Sequence, residues 1–200
     1  MTINRRDFLG AGLAVVGAGL AGCAGSGSGN GQWETLVDGT RIPIDWRPLG
    51  EGNWSVFEGT LQGKNGKAGY LVSPKSYKDF EIRAEFWGDE EANSGIFIRC
   101  QDRAKVGAAT SYEVNIWDKR PDPRYGTGAI VDFATVATPY PKSANRWNVY
   151  EITARGDRVT AHLNGQQTAD LVGAKFLEGP FALQSAGGTI RFRKVEIRVL

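Results

Sequence analysis

Alternation at period two is the strongest constraint in this chain. Between 79 and 87, Phe80, Ile82, Ala84 and Phe86 fall on one side; Glu81, Arg83, Glu85 and Trp87 fall on the other. Successive side chains of a strand point to opposite faces, so the pattern predicts a strand with one dry and one wet face. The same reading places strands at 33–37, 54–57, 60–64, 70–73, 93–100 and 111–118. Further strands follow at 147–154, 158–163, 166–169, 180–185 and 190–200, with a short one at 127–131. Gly, Pro, Asn and Asp punctuate these runs; Glu58-Gly59 and Asn164-Gly165 read as tight hairpin turns. Beyond the first 22 residues, the only helical feature expected is a single turn at 175–177. About a dozen strands in one domain cannot bury their apolar faces in one sheet. The expected fold is all-β: two antiparallel sheets in a jelly-roll sandwich, with a concave groove.

The N-terminal segment reads as an address. Asn4-Arg5-Arg6-Asp7-Phe8-Leu9 is a twin-arginine pattern, and the Gly/Ala-rich apolar run after it is too short to span a bilayer. Leu20-Ala21-Gly22-Cys23 is a lipobox pattern, so residues 1–22 are expected to be removed and Cys23 to carry a lipid. Residues 23–32 form a Gly/Ser tether and 33–200 the folded domain. No Asp follows Cys23, which favours the outer membrane facing the periplasm.

With Cys23 lipidated, Cys100 is the only cysteine left, so no internal disulfide can form; a lone Cys in a strand is expected to be an inert core thiol. Losing Arg5, Arg6 and Asp7 lowers the formal charge of +2 by one. A near-neutral chain without a basic stripe is a poor nucleic-acid binder. His162 is the single histidine, which argues against a zinc site and for a structural role. The chain has no phosphate loop and no nucleophile-elbow motif.

The most unusual face lies between 111 and 118. Tyr112, Val114 and Ile116 form an apolar back, whereas Glu113, Asn115 and Trp117 form a front of acid, amide and indole. Amides and carboxylates hydrogen-bond hydroxyls, and aromatic planes cover the apolar faces of sugar rings, so this front suits a carbohydrate. If 79–87, 93–100 and 111–118 are successive strands, Glu85, Arg99, Glu113 and Asn115 share one face, with Arg99 between acids roughly 9–10 Å apart. Glu113 is then the candidate base, Arg99 the oxyanion stabiliser, and Asp118 or Glu85 the proton donor. Asn115, Gln184 and Asn93 would hold hydroxyls, and Trp117 or Trp87 would support a ring. Glu113 with Asp118 is also a candidate site for a divalent cation such as calcium. Glu113-Val114-Asn115-Ile116-Trp117-Asp118 is spaced like the paired-acid motif of laminarinase-like retaining glycosidases, with an amide at its middle acid. A sugar-binding module without turnover is the remaining alternative.

An ordered set of segments carries a resemblance. It comprises Gly69-Tyr70-Leu71-Val72-Ser73, Tyr77 to Phe86, Asn93-Ser94-Gly95-Ile96-Phe97-Ile98-Arg99 and Tyr112 to Asp118. Thr127-Gly128-Ala129-Ile130, Trp147-Asn148, Leu163-Asn164-Gly165, Gly179 to Gln184 and Phe192-Arg193 continue it. From about Trp33 to Leu200 the chain resembles the 3-keto-disaccharide hydrolase family. The resemblance implies a concanavalin-like sandwich, a lipid-anchored form, and cleavage of glycosides oxidised to a ketone at C3. A separate sugar 3-oxidoreductase would supply that substrate. The chain departs from the family pattern at Asn115, where a Gln is usual, and at Ser185-Ala186-Gly187, where a His often follows the Leu-Gln pair.

Overall fold

The computed structural model describes residues 31–64 and 66–200. The leader, Cys23 and most of the tether lie outside the described residues. Thirteen strands run in order: β1 Glu34–Val37, β2 Arg47–Gly50, β3 Trp54–Phe57, β4 Thr60–Lys64, β5 Gly69–Val72, β6 Phe80–Gly88, β7 Ser94–Ile98, β8 Tyr112–Ile116, β9 Trp147–Arg155, β10 Arg158–Leu163, β11 Gln166–Val172, β12 Ala182–Ser185 and β13 Thr189–Val199. They form two antiparallel sheets. The larger runs β11-β10-β9-β6-β13-β4-β3, with β1 also on β13; the smaller runs β2-β5-β12-β7-β8. This is the expected all-β jelly-roll sandwich.

The core lies between the sheets and follows the alternation. Phe80, Ile82, Ala84 and Phe86 of β6 meet Ile96, Ile98, Tyr112, Val114 and Ile116 of the smaller sheet, all fully buried. The predicted turns form as left-handed residue pairs: Glu58 and Gly59 have φ of 46° and 69°, Asn164 and Gly165 of 51° and 81°. Three features differ from the sequence-based reading. Strand β2, which contains Pro48, is not among the expected strands. It forms at the edge of the smaller sheet, where a missing N–H costs no ladder bond. Residues 127–131 make an isolated bridge, Ile130 to Val114, along the open edge of β8 rather than a strand. Residues 175–177 are irregular, and the one short helical turn among the described residues is a 3-10 turn at Pro123–Tyr125, capped by Asp122.

The strand assignments also separate residues that the linear reading put together. β6 belongs to the larger sheet, between β9 and β13, while β7 and β8 belong to the smaller. Glu85 and Trp87 therefore face outward from the opposite side of the sandwich from Glu113. Glu85 is ion-paired with Arg193, and Trp87 is stacked beneath the Arg191 guanidinium, 4.9 Å from its ring centre.

Candidate functional site

The outer face of the smaller sheet is assembled by register. On β7 and β8, Gly95 opposes Asn115 and Phe97 opposes Glu113; on β12 and β5, Gln184 opposes Tyr70. Leu183 pairs with Ile96, so the next step sets Gln184 beside Gly95. Two rows cross the sheet as a result: Tyr70, Gln184, Gly95 and Asn115, then Val72, Ala182, Phe97 and Glu113. The second row is mostly apolar because the 101–111 connection folds over it. Val106 closes a cluster there with Val72, Phe97, Cys100 and Ala182. Cys100 is among the groups sealed in, and burial pushes its thiol up to about 12, as suits an inert side chain.

Glu113 sits where the covered half meets the open half. Gly95 makes room for it: a Cβ there would lie 2.9 Å from Glu113 Oε1 and 3.0 Å from its Cγ. The carboxyl thus leans over Gly95, into the space between Gln184 and Asn115. Strands ~4.8 Å apart put those amides roughly 9–10 Å from one another. Glu113 is only 8% exposed, and no donor among the described residues bonds its carboxyl. Burial pushes its pKa up to about 7; the Arg120 guanidinium pulls the other way and the Asp132 carboxylate adds to the rise.

The amides around it are half satisfied. Asn115 Nδ2 donates to the Tyr125 carbonyl at 2.6 Å, and Gln184 Nε2 donates to Tyr70 Oη at 3.3 Å. Asn115 Oδ1 and Gln184 Oε1 are buried with no partner. An unmet buried acceptor costs about 1–3 kcal/mol, a cost that a ligand hydroxyl would remove. The Tyr70 phenol is held in its protonated form by burial; the Gln184 bond opposes that shift and the nearby Glu113 charge adds to it. Trp117 follows Asn115 on the same face, half-buried, with the Arg120 guanidinium 5.6 Å from its ring centre. Asn93, just before β7, lies at the same end of this face and bonds through its main chain to Ala186 and Gly187.

Two expected site residues do other work. Arg99 is fully buried and does not lie between two acids. Its φ of 51° breaks the alternation after Ile98 and turns the side chain inward. There its guanidinium donates to the carbonyls of Lys78, Gly156 and Phe176 and to Asp79. With every donor engaged by protein, Arg99 is a structural clamp rather than an oxyanion stabiliser. Asp118 stands five residues from Glu113, an odd step that aims it away from the site. Its carboxylate accepts from Thr127 Oγ1 (2.5 Å), Ser143 N (2.9 Å), Ser143 Oγ (3.2 Å) and Ala144 N (2.9 Å). Those donors pin the 119–146 connection and leave Asp118 unsuited to giving a proton or acting as a second glycosidase acid. The Glu113–Asp118 pair does not fit a cation either, because a carboxylate ringed by four donors has no lone pair to offer. Sequence reasoning missed Arg120 and Tyr70. Tyr70 stands out only as the polar step in Gly69-Tyr70-Leu71-Val72, and Arg120 lies in an irregular loop with no period to mark it.

Comparison with known proteins agrees with this architecture. Residues 32–198 match the model of the 3-keto-alpha-glucoside-1,2-lyase-like domain. No curated protein sequence matches the chain. Among solved structures, a candidate glycosyl hydrolase from Parabacteroides distasonis superposes with a TM-score of 0.72 at 19% identity, covering 84% of this chain and 94% of its own. A carbohydrate-binding module from Bacillus subtilis gives 0.57 at 19% identity over 74% and 92%. A β-glucanase from Bacillus licheniformis gives 0.58 at 11% identity over 86% and 99%. At these identities the structures share the fold with this chain, while the domain model spans nearly all of the described residues. The chain therefore belongs to the family of 3-keto-alpha-glucoside-1,2-lyase-like domains.

Proposed function

We propose that this domain cleaves 3-keto-glycosides by removing the proton at C2. The observation that carries the reading is the lone Glu113 carboxyl, buried, unpaired and titrating near 7, between two amides with orphaned oxygens. A ketone at C3 acidifies the C2 proton, and a carboxylate of this basicity is matched to taking it near neutral pH. Arg120 supplies positive charge beside the developing enolate, the role that Arg99 cannot fill. The enolate then expels the aglycone oxygen from C1, leaving a C1–C2 double bond. Tyr70 supports proton delivery to that oxygen, since its hydroxyl accepts from Gln184 and keeps its own proton to give. Water adds back across the double bond: hydroxide goes to C1, its proton returns to Tyr70, and the Glu113 proton returns to C2. One water is consumed and a free 3-keto sugar is released. Asn115, Gln184 and Asn93 would hold the sugar hydroxyls, and Trp117 would face the ring once Arg120 moves. The ketone must come from an oxidation at C3 by another enzyme.

The test is incubation of the purified protein with a 3-keto-disaccharide, with the unoxidised disaccharide and with a β-glucan, each with and without divalent cations. Free 3-keto-glucose is expected from the first alone, at a rate that climbs as pH rises through about 7. Glu113→Gln should reduce that rate on the order of 10²–10⁴-fold, the usual contribution of a general base. Cleavage of the β-glucan would replace this mechanism with ordinary glycoside hydrolysis. Binding of the 3-keto sugar without product would make the domain a binding module.

A further inference from the structure

A second recess, of about 360 Å³ and open to solvent, lies outside the Glu113 site. One wall is the Pro-rich connection with Tyr140 and Lys142, and the other is the β10–β11 hairpin with Gln166 and Thr168. Arg146 closes one side. Lys142 and Arg146 also line an adjoining recess that reaches Asp118. Neither cation is ion-paired among the described residues. Lys142 donates to the Asp118 carbonyl and Arg146 to the Lys142 carbonyl. The two acids of that adjoining recess are engaged elsewhere: Glu90 by Lys119 and Asn145, and the Asp118 carboxylate by Thr127, Ser143 and Ala144. Two cations outside any ion pair, one aromatic ring and an exposed amide thus face one cavity, whose size lies within the roughly 300–1,000 Å³ of ligand sites.

We propose that this recess is a distal subsite for an anionic sugar residue, a uronate or a sulfate ester, within a longer glycan. Lys142 and Arg146 meet the anion, the Arg fork matching its paired oxygens. The Tyr140 ring covers the apolar face of the sugar, and Gln166 takes a hydroxyl. None of the residues that surround Glu113 lines this recess, so an occupant here belongs to a different unit of the chain than the one over Glu113. The choice of a sugar rather than another anion rests on the carbohydrate reading above.

The test measures calorimetric affinity of the full chain for three probes: a galacturonate trisaccharide, a sulfated galactose trisaccharide and neutral galactotriose. At least one charged probe should bind about tenfold or more tighter than the neutral one, the worth of one charge-assisted hydrogen bond, and more weakly as salt rises. Lys142→Gln and Arg146→Gln should each lose about that factor, while Tyr140→Ala should weaken charged and neutral probes together. Glu113→Gln should leave this binding intact. Turnover of a neutral 3-keto-disaccharide should be unchanged in Arg146→Gln and Tyr140→Ala, which separates failure of the subsite from failure of the activity. Equal affinity for all three probes would overturn the proposal. So would binding of inorganic sulfate as tight as that of the sulfated sugar, or charged-probe affinity indifferent to both cation substitutions.

Discussion

Burying the Glu113 carboxyl destabilises the fold whenever the group is charged. Unfolded, it titrates near the ordinary carboxyl value of 4.5; folded, burial raises it to about 7. Between these values the folded state holds a proton that the unfolded state has lost, so stability falls as pH rises from about 4.5 to about 7 and then levels off. Glu113→Gln removes the penalty. The variant should match the parent at pH ~4 and exceed it at pH ~8 by up to about 3 kcal/mol, read from urea midpoints. Equal stability at both pH values would mean that the carboxylate is solvated and a poor base. Arg99 shows the opposite residue-scale outcome. Strand alternation assigns it to the face of Phe97, but a left-handed backbone at one residue moves a cation from the surface into the protein. Once there it must be met by carbonyls, since a buried unpaired charge costs several kcal/mol.

Three strands show what element-scale patterning conveys. In β13 the apolar series Ile190, Phe192, Val195 and Ile197 skips a step, and the bulge at Arg193 absorbs the extra residue so that both halves face the core. β7 is buried on both faces, since the 101–111 connection covers half of its outer side. Its Gly95 is the exception and gives Glu113 its position. In Gly95→Ala the new methyl would crowd a flexible carboxyl rather than backbone. Stability should change by less than about 1 kcal/mol, while kcat/KM on a 3-keto-disaccharide should drop on the order of 10²-fold, the cost of a displacement near 1 Å. Unaltered kcat/KM with the methyl in place would show that the lean of Glu113 over Gly95 is irrelevant to turnover.

At the scale of the whole molecule the two outer faces have different chemistry. The larger sheet presents closed stacks and ion pairs, with Trp33 between Arg83 and Arg198, Arg191 between Phe57 and Trp87, and Arg193 over Trp147. The smaller sheet presents unmet acceptors and a free acid. Gly31, where the described chain begins, lies against the Val199 carbonyl at the end of β13. On the lipobox reading, a short tether from Cys23 attaches at that point. Cys23→Ser should move the protein from the membrane fraction to the soluble periplasmic fraction, checked by fractionation and immunoblot; unchanged membrane association would rule the lipid anchor out. Much of this architecture is local and therefore visible in the sequence. Period two marks Ile82, Ile96, Val114 and their neighbours as core. Gly-containing turns mark the hairpins, and the front of β8 identifies Glu113 and Asn115 as an unusual pair. Alternation says which residues share a face of one strand, but not which strand lies next to it in space. That choice depends on pairing between segments far apart in the chain, and only the tertiary structure sends Glu85 and Trp87 to the other sheet. It alone encloses Asp118 and Arg99 in hydrogen-bond partners and brings Arg120 and Tyr70 to Glu113, because those contacts come from loops and neighbouring strands with no period of their own.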